Sequence, residues 1–161
     1  MKHLAIVVST FVFAAACGKK SDDGGSSSAK ATEKAAATKL PKVGLQIDVP
    51  GEATVGDPIM ADVGNSINSA DLGAMQVEIF KTPQTLDEAK EDAKMYSPKS
   101  VKADALADGW ALSFNNKGSM GENYFVTVRR DIAGKTYKCW ATVDTKERGD
   151  AVLAACKTLR K

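Results

Sequence analysis

The most reactive side chains in this chain of 161 residues are three cysteines, Cys17, Cys139 and Cys156. A thiol can form a disulfide, bind a metal, act as a nucleophile or accept a covalent modification. No two of the three have the C-x-x-C spacing of a redox-active pair, so thiol redox chemistry is not favoured. Cys139 and Cys156 lie in the C-terminal part of the chain, whereas Cys17 lies near the N-terminus, at the end of an apolar run.

Histidine, the commonest general base and metal ligand, occurs once, at His3. Serine and cysteine nucleophiles therefore have no histidine partner in the rest of the chain, and no glycine-rich phosphate loop is present. Oxygen-bearing side chains that could bind calcium occur between residues 57 and 71, but their spacing differs from an EF-hand loop: Asp57, Asp62, Asn65, Asn68 and Asp71. Turn formation explains these residues equally well. We therefore predict no catalytic residue, no metal site and no cofactor, and we do not expect an enzyme.

The first sixteen residues have the pattern of a signal peptide. Lys2 supplies a positive charge at the start, and Leu4–Ala16 is an uncharged segment of the length expected for a signal-peptide core. A membrane-spanning helix needs about 20 apolar residues, so this segment is too short for one. Residues 1–16 are predicted to be a leader that is removed, which would leave the mature chain without histidine.

The cysteine that follows this leader decides between two kinds of cleavage. Ala14, Ala15 and Ala16 suit an ordinary signal peptidase. Followed by Cys17 and Gly18, however, they resemble the lipobox of bacterial lipoproteins, with Ala14 where leucine is usual. The resemblance implies that Cys17 receives a diacylglycerol, becomes an acylated N-terminus and holds the protein on a membrane.

The residue after the cysteine bears on which membrane this is. In Gram-negative lipoproteins an aspartate at that position favours retention in the inner membrane, and here the position is Gly18. The resemblance therefore implies lipid anchoring to the outer membrane. We expect the periplasmic side rather than the cell surface.

Composition divides the rest of the chain into a tether and one domain. Residues 17–40 consist mainly of Gly, Ser, Ala, Lys and Thr without an aromatic side chain, which predicts a flexible tether. Residues 41–161 have the size of a single domain and contain 16 Lys or Arg against 17 Asp or Glu. This near-neutral balance lacks the basic surface of a nucleic-acid-binding protein.

Periodicity predicts an antiparallel sheet flanked by two main helices. Apolar residues alternate at 45–49 and 75–79, and a further short strand is predicted near 59–63, before the turn-rich segment GNSINSADLG. Capping boxes at Thr85–Glu88 and Asp144–Glu147 predict the two helices, the first of which ends at Pro98. A C-terminal meander of four strands is predicted between them, at 101–106, 110–115, 124–130 and 136–143. This order indicates an α+β domain.

Several segments of the domain resemble one superfamily. The stretches LPKVGLQIDVP, ADGWALSF, GKTYKCWATV and ACKTL look like Mog1/PsbP-type domains and small proteobacterial lipoproteins of similar layout. The resemblance implies a central antiparallel sheet flanked by helices, and a protein that binds other proteins rather than catalyses a reaction.

If Cys17 carries lipid, Cys139 and Cys156 remain as a pair in an exported protein. A structural disulfide between them is predicted, with buried free thiols as the alternative. If Cys139 faces the last helix, Trp140 points to the opposite side of the sheet. Trp140 then either lies beneath another layer, such as the first helix, or serves with Arg129 as an exposed anchor for a partner.

These features predict a lipid-anchored lipoprotein of the cell envelope. Its domain is expected to act as a non-catalytic binding, adaptor or assembly module, with the membrane and an envelope protein as its partners. A periplasmic carrier of a small ligand is the alternative, and a hydrolase without a recognisable motif is less favoured. No nucleic-acid partner is expected.

The lipid anchor can be tested by replacing Cys17→Ser in the full chain. Without the sulfur there is no acceptor for the diacylglycerol, so the protein should move from the membrane pellet to the soluble fraction on fractionation. Ser21→Ala, which keeps the cysteine, should leave it in the pellet. Membrane association of the Cys17→Ser chain equal to that of the unsubstituted chain would show that no lipid at this residue holds it.

Overall fold

A computed structural model of the chain describes residues 35–119 and 121–161. The predicted leader, Cys17 and most of the predicted tether lie outside the described residues. The strands and helices, in chain order, are β1 Ala36–Leu40, β2 Leu45–Val49, β3 Ala53–Gly56, β4 Gly64–Ser69, β5 Gly73–Ile79, α1 Leu86–Ala93, β6 Lys99–Leu106, β7 Gly109–Gly118, β8 Gly121–Ile132, β9 Lys135–Val143 and α2 Lys146–Lys157. A single 3-10 turn, Lys94–Tyr96, follows α1.

The described strands form one large and one small antiparallel sheet. The large sheet has seven strands in the order β3-β4-β5-β9-β8-β7-β6, and β1 and β2 form a separate hairpin. The predicted antiparallel sheet with two helices is confirmed at this level, and the domain is mainly β with some helix. Among the described residues, no helix is long and apolar enough to cross a membrane.

Side chains along the central strand β9 alternate between the two faces of the large sheet. Tyr137, Cys139 and Ala141 point to one side and are buried with residues of α2 and of the β1-β2 hairpin; we call this side the first face. Lys138 and Trp140 alternate with them and point to the opposite side, the second face. The predicted alternation along β9 is therefore confirmed.

Both faces carry a hydrophobic cluster, but the two clusters differ in size. The larger one lies on the first face and contains the cysteine pair. The smaller one lies on the second face, where Ala89 and Ala93 of α1 cover Trp110, Leu112 and Phe114 of β7. The helices thus lie on opposite sides of the sheet, and α1 covers only part of its side.

The disulfide Cys139–Cys156 joins the centre of the sheet to α2. The Cα atoms of the two residues are 5.7 Å apart, and both side chains are fully buried. The predicted pairing of these two cysteines is confirmed. Cys139 lies in β9 and Cys156 lies 17 positions later in α2, so the bond ties this helix to the strand that precedes it.

The domain includes residues that precede the predicted boundary at residue 41. Residues 36–40, assigned from the sequence to the tether, form β1 and pair with β2, with Leu40 opposite Leu45. Leu40 is 0% exposed and belongs to the first-face cluster. Small and polar residues predominate in this segment, which is why the sequence predicted a tether. Burial of the Leu40 side chain and backbone pairing with β2 offset the conformational entropy that residues 36–40 lose on ordering.

The predictions between residues 50 and 73 are wrong. The predicted strand near 59–63 is a loop, and the turn-rich segment after it contains β4. Asn65, at the start of β4, is buried and bonded at both ends of its amide: its side chain accepts from the Lys42 N–H at 3.1 Å and donates to the Gly56 carbonyl at 3.3 Å. These bonds satisfy a polar side chain inside a strand, and no local pattern shows them.

One of the two predicted capping boxes is confirmed. Thr85 accepts from the Glu88 N–H, and the Glu88 carboxylate accepts from the Thr85 N–H at 2.7 Å. At α2 the cap is Thr145 and not Asp144, because the helix starts at Lys146 and the Thr145 hydroxyl accepts from the Arg148 N–H. Asp144 instead forms an ion pair with the Arg148 side chain at 2.9 Å.

We expect the disulfide to contribute substantially to stability. A cross-link closing a loop of this length lowers the entropy of the unfolded chain, so Cys139→Ala with Cys156→Ala should lower the free energy of unfolding by about 3 kcal/mol. Urea unfolding followed by circular dichroism measures this change. Adding a reductant to the unsubstituted chain should lower the urea midpoint similarly. A midpoint unchanged by both treatments would mean that the bond contributes nothing.

Candidate functional site

The chain must cross the second face of the sheet between β5 and β6. Strand β5 lies beside β9, whereas β6 lies at the far edge, so the connection passes β9, β8 and β7. Helix α1 lies in this connection and packs on β7. With eight residues it is about 12 Å long, which is too short to cover the whole face.

The backbone carbonyl of Gln84 attaches this crossing segment to the sheet. It accepts hydrogen bonds from Trp110 Nε1 at 3.0 Å and from Arg129 Nη1 at 3.1 Å. Both donors come from neighbouring strands, so the start of α1 is fixed at one point over β7 and β8. The Gln84 side chain also donates to Asp92 Oδ2 at 2.6 Å, which links the entry of the helix to its last turn.

Arg129, a predicted partner-binding residue, has internal partners in the structure. Besides the Gln84 carbonyl it binds Asp131 Oδ2 through Nη2 at 2.7 Å, and its side chain is half-buried. A hydrogen bond from the Thr136 hydroxyl lowers the pKa of Asp131 most, and the Arg129 guanidinium lowers it further. These bonds give Arg129 a positioning role for α1, and its contact with a partner stays a prediction.

The part of the second face that α1 leaves open is a groove of about 590 Å³. Residues of β8 and β9 form its floor, the end of α1 with its 3-10 turn forms one wall, and the loop before β4 contributes to the rim. We call it the second-face groove. Its lining includes Met60, Met95, Tyr96, Phe125, Lys138 and Trp140.

Trp140 is a half-buried residue of the groove floor. The tryptophan inside the cluster beneath α1 is Trp110, at 4% exposure, and not Trp140. Lys138 Nζ lies 5.4 Å from the centre of the Trp140 ring and 3.9 Å from the Glu78 carboxylate. The Trp140 indole N–H is buried and has no hydrogen-bond partner among the described residues. The floor is therefore aromatic, with its nearest cation already paired.

The sides of the groove carry apolar side chains that are unusually exposed. Met60 is 82% exposed and Met95 is 76% exposed. Tyr96, beside Met95, packs against Phe125 of the floor with the two rings tilted and their centres 5.1 Å apart. Methionine is flexible and polarisable, so these side chains can adapt to the shape of a bound apolar surface.

The loop that carries Met60 is attached to the second face. The Ile59 N–H donates to Gln76 Oε1 at 3.0 Å, and Gln76 is buried in β5. Lys81 and Asp62 form an ion pair at the other end of the loop. The rim of the groove is therefore held in place by bonds to the sheet and to the segment after β5.

Met60 and Met95 were missed as functional candidates in the sequence. The available signal was that Met95 falls outside the helical stripe of Leu86, Ala89 and Ala93, and that Met60 lies in a segment of turn-forming residues. Apolar residues at such positions have no core to enter. Their convergence on one groove, however, depends on the crossing of α1.

Three of the five oxygen-bearing residues considered for calcium have other partners in the structure. Asp57 pairs with Lys42 at 2.6 Å, Asp62 pairs with Lys81, and Asn65 makes the two internal bonds given above. Within residues 35–119 and 121–161, no group of three or more His, Cys, Asp or Glu side chains is placed to hold a metal ion.

No protein-family model matches the chain, and no curated protein matches it either. The function of the second-face groove must therefore be inferred from its own residues. They form an apolar and aromatic surface with one ion pair at the floor. Such a surface suits the binding of an apolar group or segment.

Acrylamide quenching can show whether Trp140 is open to solvent. In the unsubstituted chain we expect a quenchable fluorescence component from Trp140 and a protected one from Trp110. Trp140→Phe should remove the quenchable component, because it leaves only the indole beneath α1. Unfolding in urea should make Trp110 quenchable and serves as the control. Equal quenching of the two folded chains would place Trp140 out of reach of solvent.

Proposed function

We propose that this protein is a lipid-anchored lipoprotein of the cell envelope whose domain binds another envelope protein through the second-face groove. One observation carries the binding part of this proposal. Met60 and Met95, both more than three-quarters exposed, border a groove with Trp140 and Phe125 on its floor. Exposed apolar side chains grouped around a concave aromatic surface are typical of interaction sites.

The chemistry of the groove indicates the kind of segment that it binds. Tryptophan contributes disproportionately to binding energy when a partner excludes water from it, and Trp140 lies on the floor where this exclusion is greatest. The Lys138 ammonium is paired with Glu78, so it does not demand an anionic partner. We therefore propose that the groove takes an apolar segment of a protein, around which the methionines adjust.

The N-terminal part of the chain supports the location. The lipobox-like residues ending at Cys17 predict two or more acyl chains, and each buried methylene contributes about 0.8 kcal/mol to membrane binding. As a flexible tether, the residues between Cys17 and Ala36 would reach about 23 Å, from roughly 5.5 Å times the square root of their number. The domain would then search a thin layer next to the outer membrane, on its periplasmic side.

We also propose that the domain has the Mog1/PsbP-like layout suggested by its sequence. A central antiparallel sheet with α1 on one face and α2 on the other supports this proposal. It is consistent with a binding role without catalysis, in which no cofactor takes part.

A small-ligand carrier is the second candidate, and the size of the groove is the observation that favours it. About 590 Å³ falls within the range of small-molecule sites, although this groove is open along its length. A thermal-shift screen against metabolites separates the two functions. A carrier should gain several degrees in its unfolding midpoint with one apolar compound, whereas a protein-binding groove should not.

Site-specific photocross-linking tests the protein-binding proposal in the membrane itself. A photoreactive side chain at Met95 or at Met60 should give the same cross-linked envelope protein, because the two positions border one groove. The same group at Lys135, an exposed residue that does not line the groove, is the matched control. Adding Trp140→Ala should lower the yield from Met95 by roughly tenfold, the loss expected for an interface hot spot.

Two outcomes would contradict the proposal. Equal yields of the same product from Met95 and Lys135 would show that the groove is not the binding surface. Different products from Met95 and Met60, each insensitive to Trp140→Ala, would show that the two walls do not bind one partner. Circular dichroism of each variant verifies that the fold is retained.

A further inference from the structure

The large sheet ends on one side in a long exposed strand. Strand β6 is hydrogen-bonded to β7 on its inner side, and among the described residues no strand pairs with its outer side. Every residue from Lys99 to Ala105 is exposed. The outer edge of a strand presents unpaired N–H and C=O groups, which are a template for pairing with another strand.

The pairing of β6 with β7 shows which peptide groups face outward. Only two residues connect these strands, so the closing pair Leu106–Gly109 exchanges both of its hydrogen bonds. The hydrogen-bonded and non-hydrogen-bonded pairs then alternate back along β6 without interruption as far as Lys102. Ala103 and Ala105 fall in the non-hydrogen-bonded pairs, and their N–H and C=O groups therefore point away from β7.

Two opposite charges flank the first of these alanines. Lys102 and Asp104 pair with Ser113 and Ala111 of β7, so both side chains lie on the first face. The Asp104 carboxylate accepts from Lys157 of α2 at 2.8 Å and keeps 54% of its side chain exposed. Lys102 forms no ion pair with another described residue. The edge thus carries one positive and one partly exposed negative group, symmetrically placed about Ala103.

We propose that two copies of the chain pair through β6, antiparallel and about a two-fold axis at Ala103. Ala103 then faces Ala103 of the second copy as a hydrogen-bonded pair. Each Lys102 faces Asp104 of the second copy in a non-hydrogen-bonded pair, in which side chains approach most closely. The strand is therefore complementary to itself in both hydrogen bonding and charge, as an isologous interface requires.

The charges select this register over its neighbours. Centring the pair on Lys102 would set two lysines against each other, and centring it on Asp104 would set two aspartates against each other. Cross-strand like charges are destabilising. Centres farther along the strand move Lys102 out of reach of Asp104. Ala103 is thus the one centre on this strand that places each Lys102 opposite an Asp104.

The shape of the strand limits how far the pairing extends. A bulge between Lys99 and Lys102, where Ser100 has φ of 50°, interrupts the ladder at the N-terminal end of β6. Ala103 and Ala105 lie on the second face and have small side chains that do not obstruct a second copy. The bulge blunts one end of this edge, and a two-fold contact occupies the free edge of β6 in both copies, which gives a closed pair.

Cysteine cross-linking in the full chain tests the contact and its register together. Ala103→Cys should give a disulfide-linked dimer under mild oxidation in the membrane, because paired Cα atoms about 5.5 Å apart permit the bond. Ala105→Cys alone should give little dimer, since a pair centred on Ala103 does not place Ala105 opposite Ala105 of the second copy. Thr54→Cys, at the opposite edge in β3, and the unsubstituted chain are the controls.

Charge exchange provides an independent measurement. In the Ala103→Cys background, Lys102→Asp should lower the dimer yield on the order of tenfold, because both attractive pairs become repulsive. Combining it with Asp104→Lys should restore the yield, since each new aspartate then faces a new lysine. Asp104→Lys removes the bond to Lys157 in the double exchange as well, so restored dimer yield in that chain would come from the new cross-strand pairs alone. The urea midpoints of Lys102→Asp and of the double exchange verify folding.

Three outcomes would overturn the proposal. They are equal cross-linking from Thr54→Cys and Ala103→Cys, a yield unaffected by Lys102→Asp, and a product in which Ala103→Cys is joined to a different protein. The last outcome would assign the edge to a strand of another partner. None of these outcomes bears on the second-face groove, which is tested at other residues.

Discussion

The alternation of side chains along β9 is the constraint on which the rest of the domain depends. This strand lies at the centre of the sheet and is paired on both sides, so its register is fixed by β5 and β8 together. A slip of one residue would turn Lys138 and Trp140 into the first-face core and Cys139 out of it. The disulfide to Cys156 locks the correct choice covalently, because only the observed register presents Cys139 to α2.

The groove is a consequence of how the two halves of the sheet are connected. Since β5 and β6 are separated by three strands, the connection has to cross one face of the sheet. It crosses the second face, and its one short helix covers only the part over β7. The Gln84 carbonyl fixes this helix through Trp110 and Arg129. The uncovered part has an aromatic floor, bordered by the end of α1 and by the loop before β4. Met95 and Met60 are exposed at these two borders.

The sequence predicted the strands with regular alternation and the helix with a complete capping box, because these signals are local. It failed between residues 50 and 73 and before residue 41. In both regions the order comes from distant partners: Asn65 is satisfied by Lys42 and Gly56, and Leu40 is buried in a core assembled from the whole domain. The alternation along β9 predicted that Trp140 lies on the opposite face from Cys139. No sequence pattern identified Met60 and Met95 as binding residues.

The sequence by itself determined the lipobox-like start as an expectation, the pairing of the only two cysteines in the domain, the alternation of β9 and the lack of histidine after residue 3. Each of these depends on residue identity or on a period of two, which is written in the chain. Only the tertiary structure decided which apolar residues stay exposed, where α1 crosses and which strand forms the edge. Those features depend on the order of strands in the sheet, which pairs residues far apart in sequence through backbone hydrogen bonds that carry no local signature.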